Sequence, residues 1–290
     1  MRMFKTSALD LWKEEENRTG LVTFCKDLDL AFGSGIPEGM ITELCGPPGS
    51  GKTQFCLQLS VNVQIPRQLG GLQGRAAYLD TNYGFCPQRV QEMAQACHSH
   101  CRSIALLHKQ NPDEILAGFS EATALDGILY SHVTDCTQML EAIAVLQNKL
   151  YDGERIKLII LDSLSFLIRN TIPSSMKRMR RLHEILTPLH KLAHRFGCVV
   201  IVTNDVTTRI SDSDSYERTE TPQIVPALGG SHTHKINQRI FLGQDESNYD
   251  FHSQHQPRYV ASIAKGHFLP TITVPFRIET AGIRGIKQEV

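Results

Sequence analysis

Residues 46–53 read Gly-Pro-Pro-Gly-Ser-Gly-Lys-Thr and fill every fixed position of the phosphate-loop pattern. The pattern constrains the fold as much as the ligand. Its glycines let successive backbone N–H groups curl around one anion, and a helix opening on the last residues adds its dipole. A strand must lead in and a helix must lead out. Both are legible: Met40 to Cys45 is a short apolar run, and Lys52 to Gln64 is helix-like. In this setting Gly46, Pro47, Pro48, Gly49, Ser50 and Gly51 form a phosphate cradle. Lys52 neutralises charge on the outer phosphates, and the Thr53 hydroxyl ligates Mg²⁺.

A strand ending in an acid belongs beside such a loop, to hold the water shell of the magnesium. Lys157-Leu-Ile-Ile-Leu-Asp162 has that form. An aspartate after a strand is also a common helix cap. The phosphate loop decides between the two, and Asp162 is assigned to Mg²⁺.

The rest of the chain keeps an α/β rhythm. Apolar runs at Met40 to Cys45, Ala76 to Leu79, Ile128 to Val133, Lys157 to Leu161 and Cys198 to Val202 alternate with helix-like stretches at Lys52 to Gln64, Gln88 to Cys101, Thr137 to Leu150 and Met179 to Phe196. Such alternation predicts a mostly parallel sheet flanked by helices. After Leu228 the helices stop. Lys235 to Leu242, Arg258 to Ala264 and Ile272 to Ile278 predict antiparallel C-terminal strands. Ser211 to Pro226, with Asp212, Asp214, Glu217 and Glu220, reads as a mobile polar loop. Residues 7–16 predict a short amphipathic helix, with Trp12 anchoring it to the main body.

Composition narrows the function class. Thirty basic residues balance thirty acidic ones, which excludes a nucleic-acid binder acting through bulk charge but not one with cations gathered on one face. Eight scattered cysteines, mostly in apolar runs, fit a reduced intracellular protein. The N-terminus is too charged for a secretory leader, and the longest apolar runs are too short to span a bilayer. A soluble nuclear or cytosolic protein is expected, with no membrane partner. Cys97-His98-Ser-His100-Cys101 does not make a structural metal site, because on a helix the two histidines do not both share the cysteines' face.

From Thr23 to Gly285 the sequence resembles the RecA-type recombinases of archaea and eukaryotes. The matching residues are Thr23-Phe-Cys-Lys-Asp-Leu-Asp, the Gly51-Lys52-Thr53-Gln54 loop, Leu79-Asp80-Thr81, Val202-Thr203-Asn204, Leu228-Gly229-Gly230 ahead of His234 and Arg239, and Phe268-Leu269-Pro270. Val63-Gln64-Ile65-Pro66, Leu125-Asp126-Gly127-Ile128-Leu129 and Val225-Pro226-Ala227-Leu228 point within it to the C-type branch of the recombinase paralogues. The resemblance implies a RecA-like P-loop ATPase core over residues 21–290, preceded by a linker or helix at 1–20. It implies ATP and Mg²⁺ as cofactors and a nuclear role in homologous-recombination repair of DNA double-strand breaks. Its implied partners are other recombinase paralogues in a hetero-oligomer, the main recombinase filament, and single-stranded or branched DNA. Gln54 then joins the nucleotide site, Arg89 matches the adenine-stacking arginine, and Pro270 matches the cap over a neighbour's nucleotide. Lys265 lies where it would reach a neighbour's γ-phosphate. A Phe-x-x-Ala hook is imperfectly met, since Phe4 to Ala8 has one residue too many.

Two departures stand at the catalytic centre. Where the family keeps a glutamate to activate water, this chain has Asn82. Where the family keeps a γ-phosphate-sensing glutamine, it has Asp205. Lys52 therefore keeps its catalytic role beside two altered positions. An amide takes no proton, so binding with slow DNA-dependent hydrolysis is expected, unless Asp205 does part of the missing work. The alternatives are an active self-polymerising recombinase or a RecA-core motor. For DNA, the resemblance places Lys177, Arg178, Arg180 and Arg181 in the first DNA-facing loop and Arg209 at the start of the second. Clustered cations contact phosphates rather than read bases.

Overall fold

The computed structural model of the chain describes residues 7–16, 20–209, 223–230, 232–245, 258–266 and 271–286. The elements follow the order α1 (Ala8–Glu16), α2 (Lys26–Ala31), β1 (Ile41–Cys45), α3 (Lys52–Asn62), β2 (Arg75–Asp80), α4 (Pro87–Leu107), α5 (Pro112–Ile115), α6 (Glu121–Asp126), β3 (Ile128–His132), α7 (Cys136–Tyr151), β4 (Ile156–Asp162), α8 (Leu164–Thr171), α9 (Ser175–Phe196), β5 (Val199–Asn204), β6 (Val206–Arg209), β7 (Gln223–Pro226), β8 (Gln238–Gln244), β9 (Arg258–Lys265), β10 (Thr273–Glu279) and β11 (Gly282–Gly285).

Among the described residues nine strands form one sheet, ordered β11-β10-β9-β8-β1-β5-β4-β2-β3. From β8 to β3 the pairs are parallel, and β8, β9, β10 and β11 pair antiparallel, as the loss of helices after Leu228 predicts. The central strands are buried on both faces, so their sequences are apolar without alternation. The two-residue period appears instead in which core each side chain joins. Tyr78, Leu158, Ile160, Val199 and Ile201 pack with α3 and α4. Ala77, Leu79, Ile159, Leu161, Val200 and Val202 pack with α7, α8 and α9.

Parallel register brings the C-terminal ends of four strands to one edge. Cys45 pairs with Asn204, Leu161 with Val202, and Asp80 with Asp162. Ligands of open α/β sheets bind at that edge.

Several expectations change. Helix α1 forms, but Trp12 is 54% exposed with Leu9 and Leu11 also exposed, so Trp12 does not anchor it. A local cap holds the helix instead. Ser7 N–H and Oγ–H donate to the Asp10 carboxylate, and the Asp10 N–H donates to Ser7 Oγ at 3.1 Å. Gln223–Pro226 is not loop but pairs antiparallel with Val206–Arg209. The acids at 212–220 lie outside the described residues, as do Phe4 and Pro270. Thr233–Lys235 is a 3₁₀ turn, and the strand starts only at Gln238.

Candidate nucleotide-binding site

The phosphate loop leaves β1 in the middle of the sheet and enters α3. Gly51 is the N-cap of α3 with φ +92°, a left-handed conformation that favours glycine. A Cβ there would also meet Ile278 Cδ1 at 2.6 Å, a side-chain tip that would have to give way, so it is the left-handed backbone that demands glycine. Ser50 is buried, and its Oγ has no hydrogen-bond partner among the described residues. An orphaned hydroxyl beside a glycine cradle and a helix N-terminus fits a polyphosphate.

Lys52 Nζ donates to Gly46 O at 2.6 Å and Pro47 O at 3.0 Å, and lies 3.3 Å from Asp205 Oδ1. Asp205 is held in turn. Its Oδ2 accepts from Ser165 Oγ at 2.9 Å, and its own N–H donates to that oxygen at 3.1 Å.

Asp162 ends β4 and is buried. Its Oδ2 accepts from Thr53 Oγ1 and Tyr78 Oη, each at 2.8 Å, and its Oδ1 accepts from Thr203 Oγ1 at 2.7 Å. Thr53 and Asp162, called from sequence, thus meet directly. Tyr78 and Thr203, on the two strands flanking β4, aim the carboxylate. Burial, reinforced by the Asp162 charge, pushes the Tyr78 phenol well above its ordinary range and keeps it a neutral donor. One carboxylate and one hydroxyl suit Mg²⁺, which takes most of its ligands from phosphates and water.

Asn82 follows β2 in a tight turn with its side chain exposed. The turn is built on buried Asp80. Asp80 Oδ1 accepts from the N–H groups of Asn82 and Gly84 at 3.2 Å each, and Oδ2 accepts from Phe85 N–H at 3.0 Å and Tyr130 Oη at 3.3 Å. Asp80 is thus committed to the turn.

Arg89 sits in the first turn of α4. Its Nε donates to Gln54 Oε1 at 2.8 Å, its Nη1 to Glu92 at 2.8 Å and Thr280 O at 2.6 Å, and its Nη2 to Glu279 O. Both expected nucleotide residues therefore lie at the loop, tied to each other. Lys265 donates to Thr233 O at 2.6 Å and to Ile236 O, so in this chain it closes the 3₁₀ turn. Burial and the nearby Arg239 charge lower its pKa.

Behind the loop lies a network that sequence reasoning missed. Glu43, wholly buried in β1, accepts from Arg239 Nε at 2.5 Å and Asn204 Nδ2 at 2.9 Å, and hydrogen-bonds His232 Nε2 at 2.9 Å. Burial opposes its charge, but the His232 hydrogen bond and the Arg239 guanidinium outweigh it, and the carboxyl is held at about 2. The available signal was a glutamate inside the apolar run Ile-Thr-Glu-Leu-Cys.

The basic segment opens α9. Lys177 is exposed, Arg178 Nε donates to Ile172 O at 2.6 Å, and Arg180 and Arg181 both pair with Glu184, at 3.0 and 2.6 Å. Arg178 thus satisfies the carbonyl that ends α8, and Glu184 offsets the basic helix start. A cavity of 710 Å³ adjoins this turn, lined by Met176, Lys177, Met179, Arg180, His183 and His234 among others. Arg209 closes β6, and its side chain lies outside the described residues. Cys97 and Cys101 lie on the buried face of α4, while His100 packs edge-on to Phe24 with ring centroids 5.0 Å apart. Among the described residues no cluster of three or more His, Cys, Asp or Glu is set to hold a metal, and no helix is long and apolar enough to cross a membrane.

A phosphate loop after a central strand, an acid ending a nearby strand, and an antiparallel C-terminal extension define a RecA-like P-loop ATPase core. The family model described as Rad51 matches residues 16–105 and 114–284. The chain belongs to the Rad51 family, whose members are ATPases. It is 34% identical over 281 residues to the DNA repair protein RAD51 homolog 3 of Cricetulus griseus, covering 97% of this chain and 72% of that protein. It is 32% identical to the homolog 3 protein of Dictyostelium discoideum, with 95% and 70% covered. The DNA repair and recombination protein RadA of Methanocorpusculum labreanum is 30% identical, with 97% and 80% covered.

Proposed function

We propose that this chain is an ATP-binding recombinase paralogue of the C type. It assists homologous-recombination repair of DNA double-strand breaks in the nucleus, within a hetero-oligomer of paralogues that supports the main recombinase filament. Residues 21–290 are its ATPase core domain and 1–20 its linker. One observation supports the reading: Lys52 and the Thr53–Asp162 pair stand at the phosphate loop, while Asn82, at the position where the resemblance expects the water-activating glutamate, is an exposed amide. Gly46 to Gly51 cradle the phosphates, and Lys52 meets their outer charge. Thr53 and Asp162 would hold Mg²⁺, which would supply neutralisation of the phosphate charge. Gln54 joins the nucleotide site, Arg89 stacks on the adenine, and Pro270 caps a neighbour's nucleotide. Asn82 accepts no proton, so hydrolysis is slow and DNA-dependent. Lys177, Arg178, Arg180, Arg181 and Arg209 contact the phosphates of single-stranded or branched DNA. The balance of Arg180 and Arg181 against Glu184 makes that contact weak and salt-sensitive.

Calorimetry with ATP and Mg²⁺ tests the core of this reading. The chain should bind with one site, and Lys52→Ala should weaken binding by at least tenfold. A folded chain that takes up no nucleotide would overturn it.

A further inference from the structure

We propose that Asp205 is a specificity-determining residue: its carboxylate competes with the terminal phosphate for Lys52 and biases the site toward the nucleoside diphosphate. The inference rests on the nucleotide-binding reading above and concerns the same site.

An ammonium has three donors. Lys52 faces three acceptors: Gly46 O, Pro47 O and Asp205 Oδ1. The two carbonyls are neutral, and among the described residues Asp205 is the charged rival. Lys52 is 10% exposed on its side chain, so water screens the pair poorly. Asp205 cannot simply swing away. Ser165 Oγ bridges its Oδ2 and its own N–H, and its carbonyl accepts from Ala227 N–H at 2.8 Å, where the β6–β7 ribbon closes.

The loop N–H groups hold the inner phosphates, whereas the outermost depends most on the lysine. A diphosphate shares Lys52 with Asp205 at little penalty. A triphosphate adds its extra negative charge beside a fixed carboxylate, and the repulsion falls on it alone. With the lysine mostly buried and the carboxylate about a third exposed, one such contact is worth on the order of tenfold in affinity. The pair also disfavours Asp205 as a replacement general base, since its carboxylate is already committed to a cation and a hydroxyl.

The test compares ADP with a non-hydrolysable ATP analogue, both with Mg²⁺, on the full chain and its Asp205→Asn and Asp205→Glu variants. The wild type should bind ADP at least as tightly as the analogue. Asp205→Asn should tighten the analogue about tenfold and change ADP less than about threefold, whereas Asp205→Glu should keep the wild-type ratio. The ratio within one variant is insensitive to a misfolded fraction. An unchanged ratio in Asp205→Asn overturns the proposal. So does weaker analogue binding in that variant, because the carboxylate would then serve the nucleotide's cation. If the wild type binds neither nucleotide, the nucleotide reading itself fails.

Discussion

Replacing Glu43 tests the network that sets the sheet edge behind the phosphate loop. The carboxylate is wholly buried and meets Arg239, His232 and Asn204. Alanine there leaves the Arg239 guanidinium, 9% exposed, without its counter-charge. Breaking a buried pair in this way costs about 3–5 kcal/mol. Glutamine keeps the shape and removes the charge. The carboxyl is held at about 2 against an ordinary 4.5. At about 1.4 kcal/mol for each tenfold in proton affinity, the ionised form contributes roughly 3 kcal/mol. Because the folded value is depressed, that contribution is fully present above about pH 4.5 and is lost as the pH falls toward 2. Urea unfolding followed by circular dichroism should show Glu43→Ala losing about 3–5 kcal/mol at pH 7 and Glu43→Gln losing somewhat less. The gap between wild type and Glu43→Gln should narrow steadily as the pH drops below about 4.5 toward 3. A Glu43→Gln protein as stable as wild type at pH 7, with the same acid limb, would mean that the buried carboxylate contributes no net charge stabilisation.

Asp29 predicts the opposite pH trend. Burial, only partly offset by two hydrogen bonds from Thr23, pushes its carboxyl up to about 6, so its penalty to the fold grows as the pH rises from about 4 through 6. Asp29→Asn should therefore raise the urea midpoint at pH 7 and leave it unchanged near pH 4; an equal effect at both would exclude a charge origin. Trp12→Ala should change unfolding free energy by less than about 0.5 kcal/mol, because the indole is exposed; a loss above about 2 kcal/mol would show that α1 packs on the body after all. Reversing Lys177, Arg180 and Arg181 to glutamate should weaken single-stranded DNA binding and flatten its salt dependence, measured by fluorescence anisotropy; unaltered affinity would remove this turn from the DNA path.

What the sequence shows and what it hides follow one physical division. Features set by nearest neighbours along the chain were legible: the phosphate loop with its strand and helix, the acid closing β4, and the change from parallel to antiparallel pairing after Leu228. Features set by which strand lies beside which were not. Glu43 meets Arg239 across 196 positions and His232 across 189, through the pairing of β1 with β8 and the 3₁₀ turn before it. Tyr78 and Thr203 reach Asp162 only because β2 and β5 flank β4. The Asp205–Lys52 pair arises the same way, from β5 beside β1. Helices α5 and α6 are too short for periodicity to register. They are specified by single caps at Asn111 and Ser120. Trp12 misled for a related reason: composition marks a side chain as able to bury, but only tertiary contact decides whether it does.

A site that binds ATP with Mg²⁺, though not in preference to ADP, should cleave it slowly for want of a base at Asn82. Single-turnover hydrolysis with ATP, Mg²⁺ and single-stranded DNA tests it most directly, on wild type and on Asn82→Glu. Saturable binding is expected in both, with slow cleavage in wild type and a gain of at least about tenfold in Asn82→Glu, the full effect of a well-positioned general base being roughly 10²- to 10⁴-fold. Fast wild-type cleavage, left unchanged by Asn82→Glu, would contradict it.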